Sequence, residues 1–251
     1  GQLYYFQLQV ILSYNLFMKS SIQSKTKLVN SVFTKVYKKY DLMNDVMSFG
    51  VHRIWKKRMI DWMKPQVNSS VLDVASGTGD IAKLISDRNK SKSKICCVEP
   101  NKNMFQMGVN RLKNYTNIDW KLAPAENLPV KDDSFDFYII SFGIRNVSDI
   151  NLCLKESLRV LKPGGRFMCL EFSKVENELL SEIYKNYSKI IPFIGKYIMG
   201  DSIPYKYLVE SIDQFYNQIE LVRIMNKAGF SNVEYRNLSG GISAIHSGWK
   251  I

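Results

Sequence analysis

Val71-Leu72-Asp73-Val74-Ala75-Ser76-Gly77-Thr78-Gly79-Asp80 reads as a buried strand running into a turn with two glycines one residue apart. The acid at Asp73 closes the apolar run, and small residues around the turn let a ligand approach the backbone. Twenty residues beyond Gly79, a second apolar run, Ile95-Cys96-Cys97-Val98, ends in Glu99. An acid at that place can accept hydrogen bonds from both hydroxyls of a ribose. The pattern predicts an adenosine-containing cofactor, with Asp73, Gly77, Gly79 and Glu99 at its site. The alternative is that the glycines serve only a tight strand-to-helix turn.

Working outward, the strand and helix signals alternate. Asp80 to Arg88 reads as a helix, and Asn101 opens another through Lys113 with Met104, Gly108 and Leu112 on one face. Asp119–Leu122 and Phe135–Ile140 read as strands. Ser148 or Asp149 can cap a helix through Leu161, which Pro163-Gly164-Gly165 should stop before a strand at Arg166–Phe172. Alternation of this kind predicts an α/β fold, a mostly parallel doubly wound sheet with ligands beyond the carboxyl ends of its strands. Asp73–Gly79, Glu99, Ala123–Ala125 and Ser141–Arg145 are the strand-end loops such a sheet would bring together.

From about 173 to 211 the pattern changes to a helical insertion carrying Tyr184, Tyr187, Ile190, Ile191, Phe193, Tyr197 and Ile198, which Pro192 and Gly195 are expected to break. The insertion is expected to form core or a lid over the site. Gln218–Ala228 reads as the last helix. Val233–Tyr235 and Ile242–Ile245, separated by Ser239-Gly240-Gly241, should form an antiparallel pair at the sheet edge. An acid before the glycines and a terminal antiparallel strand favour S-adenosylmethionine over a dinucleotide.

Composition narrows the classes. With 45% hydrophobic and 23% charged residues the chain has the make-up of a globular protein, and 251 residues suffice for one decorated α/β domain. Its apolar runs are all shorter than the roughly 20 residues a spanning helix needs. The formal charge is +12, and six lysines with no acid precede Asp41. Three readings fit residues 1–30 as a basic leader: a transit-segment remnant, a lysine-rich stretch drawn to an anionic membrane, or a solvated extension. Residues 31–251 read as the single catalytic domain. Neighbouring Cys96 and Cys97 must point to opposite faces of a strand, so no disulfide framework is expected. The two histidines, His52 and His246, are far apart, and no metal site is expected.

Five blocks carry a family resemblance. They are Val32-Phe33 with Tyr40-Asp41-Leu42-Met43-Asn44-Asp45-Val46-Met47-Ser48-Phe49-Gly50-Val51-His52-Arg53-Ile54-Trp55-Lys56, then Ile140-Ser141-Phe142-Gly143-Ile144-Arg145-Asn146-Val147. Arg159–Arg166, Leu170-Glu171-Phe172-Ser173-Lys174 and Gly241–Lys250 follow. Together they resemble the ubiquinone/menaquinone biosynthesis C-methyltransferases from about Val32 to the C-terminus. The resemblance implies a class I S-adenosylmethionine methyltransferase fold, Rossmann-like, with seven strands. It also implies methylation of a ring carbon of a polyprenyl-methoxy-benzoquinol, or of the related naphthoquinol in menaquinone synthesis. By motif position, Thr78, Glu99, Pro124, Ala125 and Ser141 would contact the cofactor. Relatives often carry aspartate where this chain has Glu99 and asparagine where it has Pro124, and proline offers neither a side-chain amide nor a backbone N–H.

Methyl transfer to a quinol ring needs alignment and charge stabilisation at the quinol oxygen. Arg145 is the expected cation, the alternative being that it pairs with a surface carboxylate. His52 is a candidate base, or else a structural histidine beside Trp55. Tyr40 and Asp41 are expected to cap the quinol, with Tyr184 and Tyr187 along the path of its prenyl tail. A lipid-soluble acceptor implies peripheral membrane association, and the family implies a homodimer and a larger biosynthetic complex. The expected place is the matrix side of the mitochondrial inner membrane, with a membrane-associated bacterial enzyme as alternative. The rival readings are a nucleic-acid methyltransferase and a non-catalytic scaffold. The first would often carry Asn/Asp-Pro-Pro-aromatic where this chain has Ser141-Phe142-Gly143-Ile144, so no nucleic-acid partner is expected. The intact glycine turn and Glu99 weigh against the second.

Overall fold

Buried, β-branched runs joined by amphipathic helices assemble here into one seven-stranded sheet. The computed structural model describes residues 24–25, 27–32, 34, 44–46, 48, 50–176, 178–199 and 203–251. Most of the basic leader, and the expected cap residues Tyr40 and Asp41, lie outside these. The strands are β1 (Ser70–Val74), β2 (Lys94–Glu99), β3 (Ile118–Leu122), β4 (Phe135–Ser141), β5 (Leu161–Phe172), β6 (Ser231–Leu238) and β7 (Ser243–Trp249). Their order is β3-β2-β1-β4-β5-β7-β6. β1 pairs in parallel with β2 on one side and β4 on the other, so the order reverses between β1 and β4. β7 is the single antiparallel strand, slotted between β5 and β6.

Among the described residues, the helices that pack around the sheet are α1 (His52–Met63), α2 (Asp80–Arg88), α3 (Lys102–Arg111), α4 (Ile150–Val160), α5 (Glu178–Met199), α6 (Ile203–Asp213) and α7 (Gln218–Ala228). The strand side chains alternate between two cores. Val71, Cys97, Ile139 and Met168 face α1, α2 and α6, whereas Leu72, Cys96, Tyr138 and Phe167 face α4 and α7. Cys96 and Cys97 therefore point to opposite faces, as their adjacency required. All four cysteines are buried and free.

Local chemistry sets the boundaries. Asn101 and Asp149 cap α3 and α4 through their side chains, and Asn217 closes a capping box with Glu220 on α7. Two expectations need correction. Pro163-Gly164-Gly165 does not separate helix from strand, because α4 ends at Val160 and β5 begins at Leu161. Gly164 N–H instead donates to the Lys250 carbonyl and Lys250 N–H to Gly165, pinning the segment to the end of the chain. Neither Pro192 nor Gly195 breaks the insertion, since α5 runs through both. Proline forfeits one intrahelical bond, but Ile191 beside it is fully buried against the core and holds the turn in place.

Candidate active site

The carboxyl ends of β1, β2 and β4 converge where the strand order reverses. A cavity with about 830 Å³ of empty space, counting its open mouth, is lined there by Glu99, Asn101, Met104, Pro124 and Ala125, with Val29 and Asn30 over it. A smaller one of about 370 Å³ is lined by Lys56, Asp73, Thr78, Asp80 and Ser141. Ala75, Gly77 and Phe142 border both. Ala75 and Phe142 hold left-handed backbone conformations, φ 51° and 55°, at the ends of neighbouring strands. Such conformations cost about 1–3 kcal/mol each and persist where the surroundings impose them, often at binding sites.

In the larger cavity Glu99 is held from two sides. Its Oε2 accepts the Gly77 N–H and its Oε1 the Asn101 N–H, each at 2.9 Å. Each oxygen keeps a further lone pair, which suits a pair of ribose hydroxyls. Burial pushes the Glu99 carboxyl up to about 7, against those two amides. Asn101 Nδ2 donates to Asn30 Oδ1 at 2.6 Å and to Thr34 Oγ1 at 3.1 Å, tying the N-terminal helical residues to the cavity rim.

The smaller cavity is charged. Asp80 Oδ2 accepts Lys56 Nζ at 2.9 Å, and its Oδ1 accepts Arg111 Nη1 at 2.6 Å. Burial acts upward on the Asp80 carboxyl, but the two cations hold it down to about 2. Asp73 is buried and its Oδ2 has no partner, and burial raises its carboxyl to about 8. The Ser141 hydroxyl is likewise buried and unpartnered. Unspent polar groups in a built cavity are expensive unless a ligand meets them. The pair of cavities thus fits an S-adenosyl amino acid: apolar walls with a ribose acceptor on one side, charged groups on the other.

Seven of the eight expected cofactor residues, Asp73, Gly77, Thr78, Glu99, Pro124, Ala125 and Ser141, line these cavities. Gly79 does not. A Cβ there would lie 2.5 Å from Leu112 and 3.0 Å from the Trp120 indole, so Gly79 serves helix packing.

Arg145 sits one short turn past β4. Its Nη1 donates to the Phe142 carbonyl at 2.9 Å and pairs with Glu171 Oε1 at 2.5 Å. The partner is a buried carboxylate, not a surface one, which corrects the alternative expectation. Arg145 Nε is buried without a partner, and so is the Tyr184 hydroxyl, which feels the Arg145 charge. Phe172 lies 5.6 Å from the guanidinium, within an aromatic cluster with Phe142 and Trp55. His52 is buried, with Nδ1 3.0 Å from Ser48 Oγ. Burial and the charges of Lys56 and Arg53 hold its imidazole down to about 4. That makes it a weak proton acceptor at neutral pH and favours the structural role. Tyr184 lines a separate groove between α5 and α6, whereas Tyr187 donates to the Val46 carbonyl. Glu171 and Lys56 received no role from sequence. Both stand in the family-like blocks, but only folding brings them to Arg145 and Asp80.

The model of the ubiE/COQ5 methyltransferase family matches residues 20–250. The chain is 50% identical over 242 residues to the ubiquinone/menaquinone biosynthesis C-methyltransferase UbiE of Rickettsia bellii, covering 94% of this chain and 97% of that one. It is 49% identical over 233 residues to the UbiE of Brucella abortus, covering 90% and 87%. Among solved structures, a SAM-dependent methyltransferase of Thermotoga maritima superposes with TM-score 0.65 at 23% identity, over 89% of this chain and all of that one, a likeness of fold. By that match and that coverage the chain belongs to the ubiE/COQ5 methyltransferase family and is a SAM-dependent C-methyltransferase.

Proposed function

We propose that the protein methylates a ring carbon of a polyprenyl-methoxy-benzoquinol in ubiquinone biosynthesis. The observation that carries this reading is Arg145, a buried cation with an unpartnered Nε, carried on the turn between Gly143 and Asn146 that lines the larger cavity. A quinol oxygen is an acceptor that such a cation would stabilise as it ionises, making the ring carbon more nucleophilic. When bound, S-adenosylmethionine supplies an activated methyl group on a sulfonium. The chain's part is to orient: Glu99 at the ribose, Asp73 and Ser141 at the amino-acid end, Arg145 at the quinol oxygen. Phe142, which borders both cavities, packs with Trp55 and Phe172 in a buried aromatic cluster. The naphthoquinol is the second reading, because the relatives' name covers menaquinone as well.

The acceptor's prenyl tail favours a protein working at a membrane surface. Ile183, Ile190 and Phe193 of α5 and Ile203 of α6 are exposed, with Lys189 and Lys206 near them. No helix among the described residues is long and apolar enough to cross a membrane. The relatives named are bacterial, which agrees with the bacterial alternative and lends no support to the mitochondrial one.

The test is incubation with methyl-labelled S-adenosylmethionine and a reduced short-tailed demethyl-benzoquinol, with the demethyl-naphthoquinol alongside. Label on a benzoquinol ring carbon is the expected result. Label on the naphthoquinol alone would transfer the assignment to menaquinone synthesis, and label on neither would overturn the quinol reading.

A further inference from the structure

We infer that Lys56, on the helix that precedes the sheet, receives the α-carboxylate of the cofactor's amino-acid moiety, opposite Asp73 and Ser141 at its ammonium. The inference rests on the S-adenosylmethionine reading above and adds a residue from outside the nucleotide-binding core.

The polar inventory of the smaller cavity is the Lys56 ammonium from α1 with the Asp80 carboxylate it pairs with, the buried Asp73 carboxylate with an unpartnered oxygen, and the hydroxyls of Ser76, Thr78 and Ser141, the last buried and without a partner. A zwitterion is complementary to that set, and adenine is not. Lys56 is only 7% exposed in its side chain, although lysine is almost never buried without a purpose or a partner. Its partner, Asp80, is shared with Arg111. One carboxylate shared between two cations leaves surplus positive charge beside the cavity, with Lys56 as the member that lines it, and an incoming carboxylate would neutralise it. The position is rigid, because Trp55, Met59, Ile60 and Met63 of the same helix are buried in the core. Across the cavity, burial keeps Asp73 protonated more readily than usual. An ammonium arriving there would favour its ionised form.

The experiment compares two thioethers that share the adenosine and differ at the amino acid: S-adenosylhomocysteine and 5′-methylthioadenosine. Both are titrated by calorimetry against the wild type, Lys56→Met and Lys56→Gln, with no quinol present. Either substitution leaves Asp80 paired with Arg111, and apo melting curves verify the fold. Loss of a charge-assisted bond predicts S-adenosylhomocysteine affinity reduced about 10- to 100-fold, with methylthioadenosine affinity within about twofold of wild type. Lys56→Arg should recover part of the loss. Equal weakening of both ligands, or of neither, overturns the inference. A wild type that binds neither ligand overturns the cofactor reading and this inference with it, an outcome the variants cannot mimic.

Discussion

Arg145 and Glu171 form an ion pair sealed inside the protein, 2.5 Å from Nη1 to Oε1, with side chains 1% and 2% exposed. The carboxylate also accepts the Phe172 N–H at 2.9 Å. Burial raises the Glu171 carboxyl, and the Arg145 charge opposes that rise. Two residues far apart in sequence are thus locked together at the end of β4 and β5, next to the cofactor cavities.

Removing either partner strands the other charge. Arg145→Met or Glu171→Gln should each cost about 3–5 kcal/mol of unfolding free energy, read by urea denaturation. The double variant should recover much of that stability while remaining inactive, because the cation proposed for the quinol oxygen is gone. An active double variant would remove Arg145 from the chemistry.

Folding also raises two cofactor-site carboxyls, Asp73 to about 8 and Glu99 to about 7, chiefly by burial. Unfolded, both return to their ordinary range near 4, so the native state holds extra protons in between and loses stability as pH rises through that window. His52 and His246, held down to about 4 by burial, act in the opposite sense, but only below about 6.5. Between pH 6.5 and 8 the acids therefore set the slope. The melting temperature of the ligand-free protein should fall across that range, and Asp73→Asn should flatten the fall. A wild-type profile that rises there would contradict the burial argument.

His52 should prove dispensable to proton transfer. A general base contributes about 10²–10⁴-fold, so its removal would be plain in kcat and in the acid limb of the pH profile. His52→Gln is expected to lower kcat less than tenfold and leave the profile's shape between pH 6 and 8 unchanged. A loss above a hundredfold with a displaced limb would reinstate it as the base.

Gly108 and Gly79 both face the Trp120 indole, and a Cβ on Gly108 would lie 2.1 Å from it. Gly108→Ala should cost about 1–3 kcal/mol by overpacking and shift Trp120 fluorescence. Trp120→Leu in the same chain should relieve most of that cost, since it removes the atoms in conflict. If the two substitutions were simply additive, the clash would not be their common cause.

The sequence by itself determined the elements and the cofactor edge. Strand runs, caps and the glycine turn depend on neighbours a few residues away, so β1, α2 and α7 are legible in their own stretches, as is the acid at Glu99. The exceptions mark where distant contacts prevail: Lys250 captures the Pro163–Gly165 segment, and core burial beside Pro192 carries α5 through it. Only the tertiary structure decided which residues meet. The crossover from β4 to β5 brings Glu171 to Arg145, and packing of α1 against α2 brings Lys56 to Asp80, pairs separated by 26 and 24 positions that no local periodicity connects. The fold also sets Gly79 against Trp120 and outside the lining of the two cavities. Burial, which raises Asp73 and Glu99 and lowers His52, belongs to the assembled fold, because the dielectric around a side chain is set by everything packed against it.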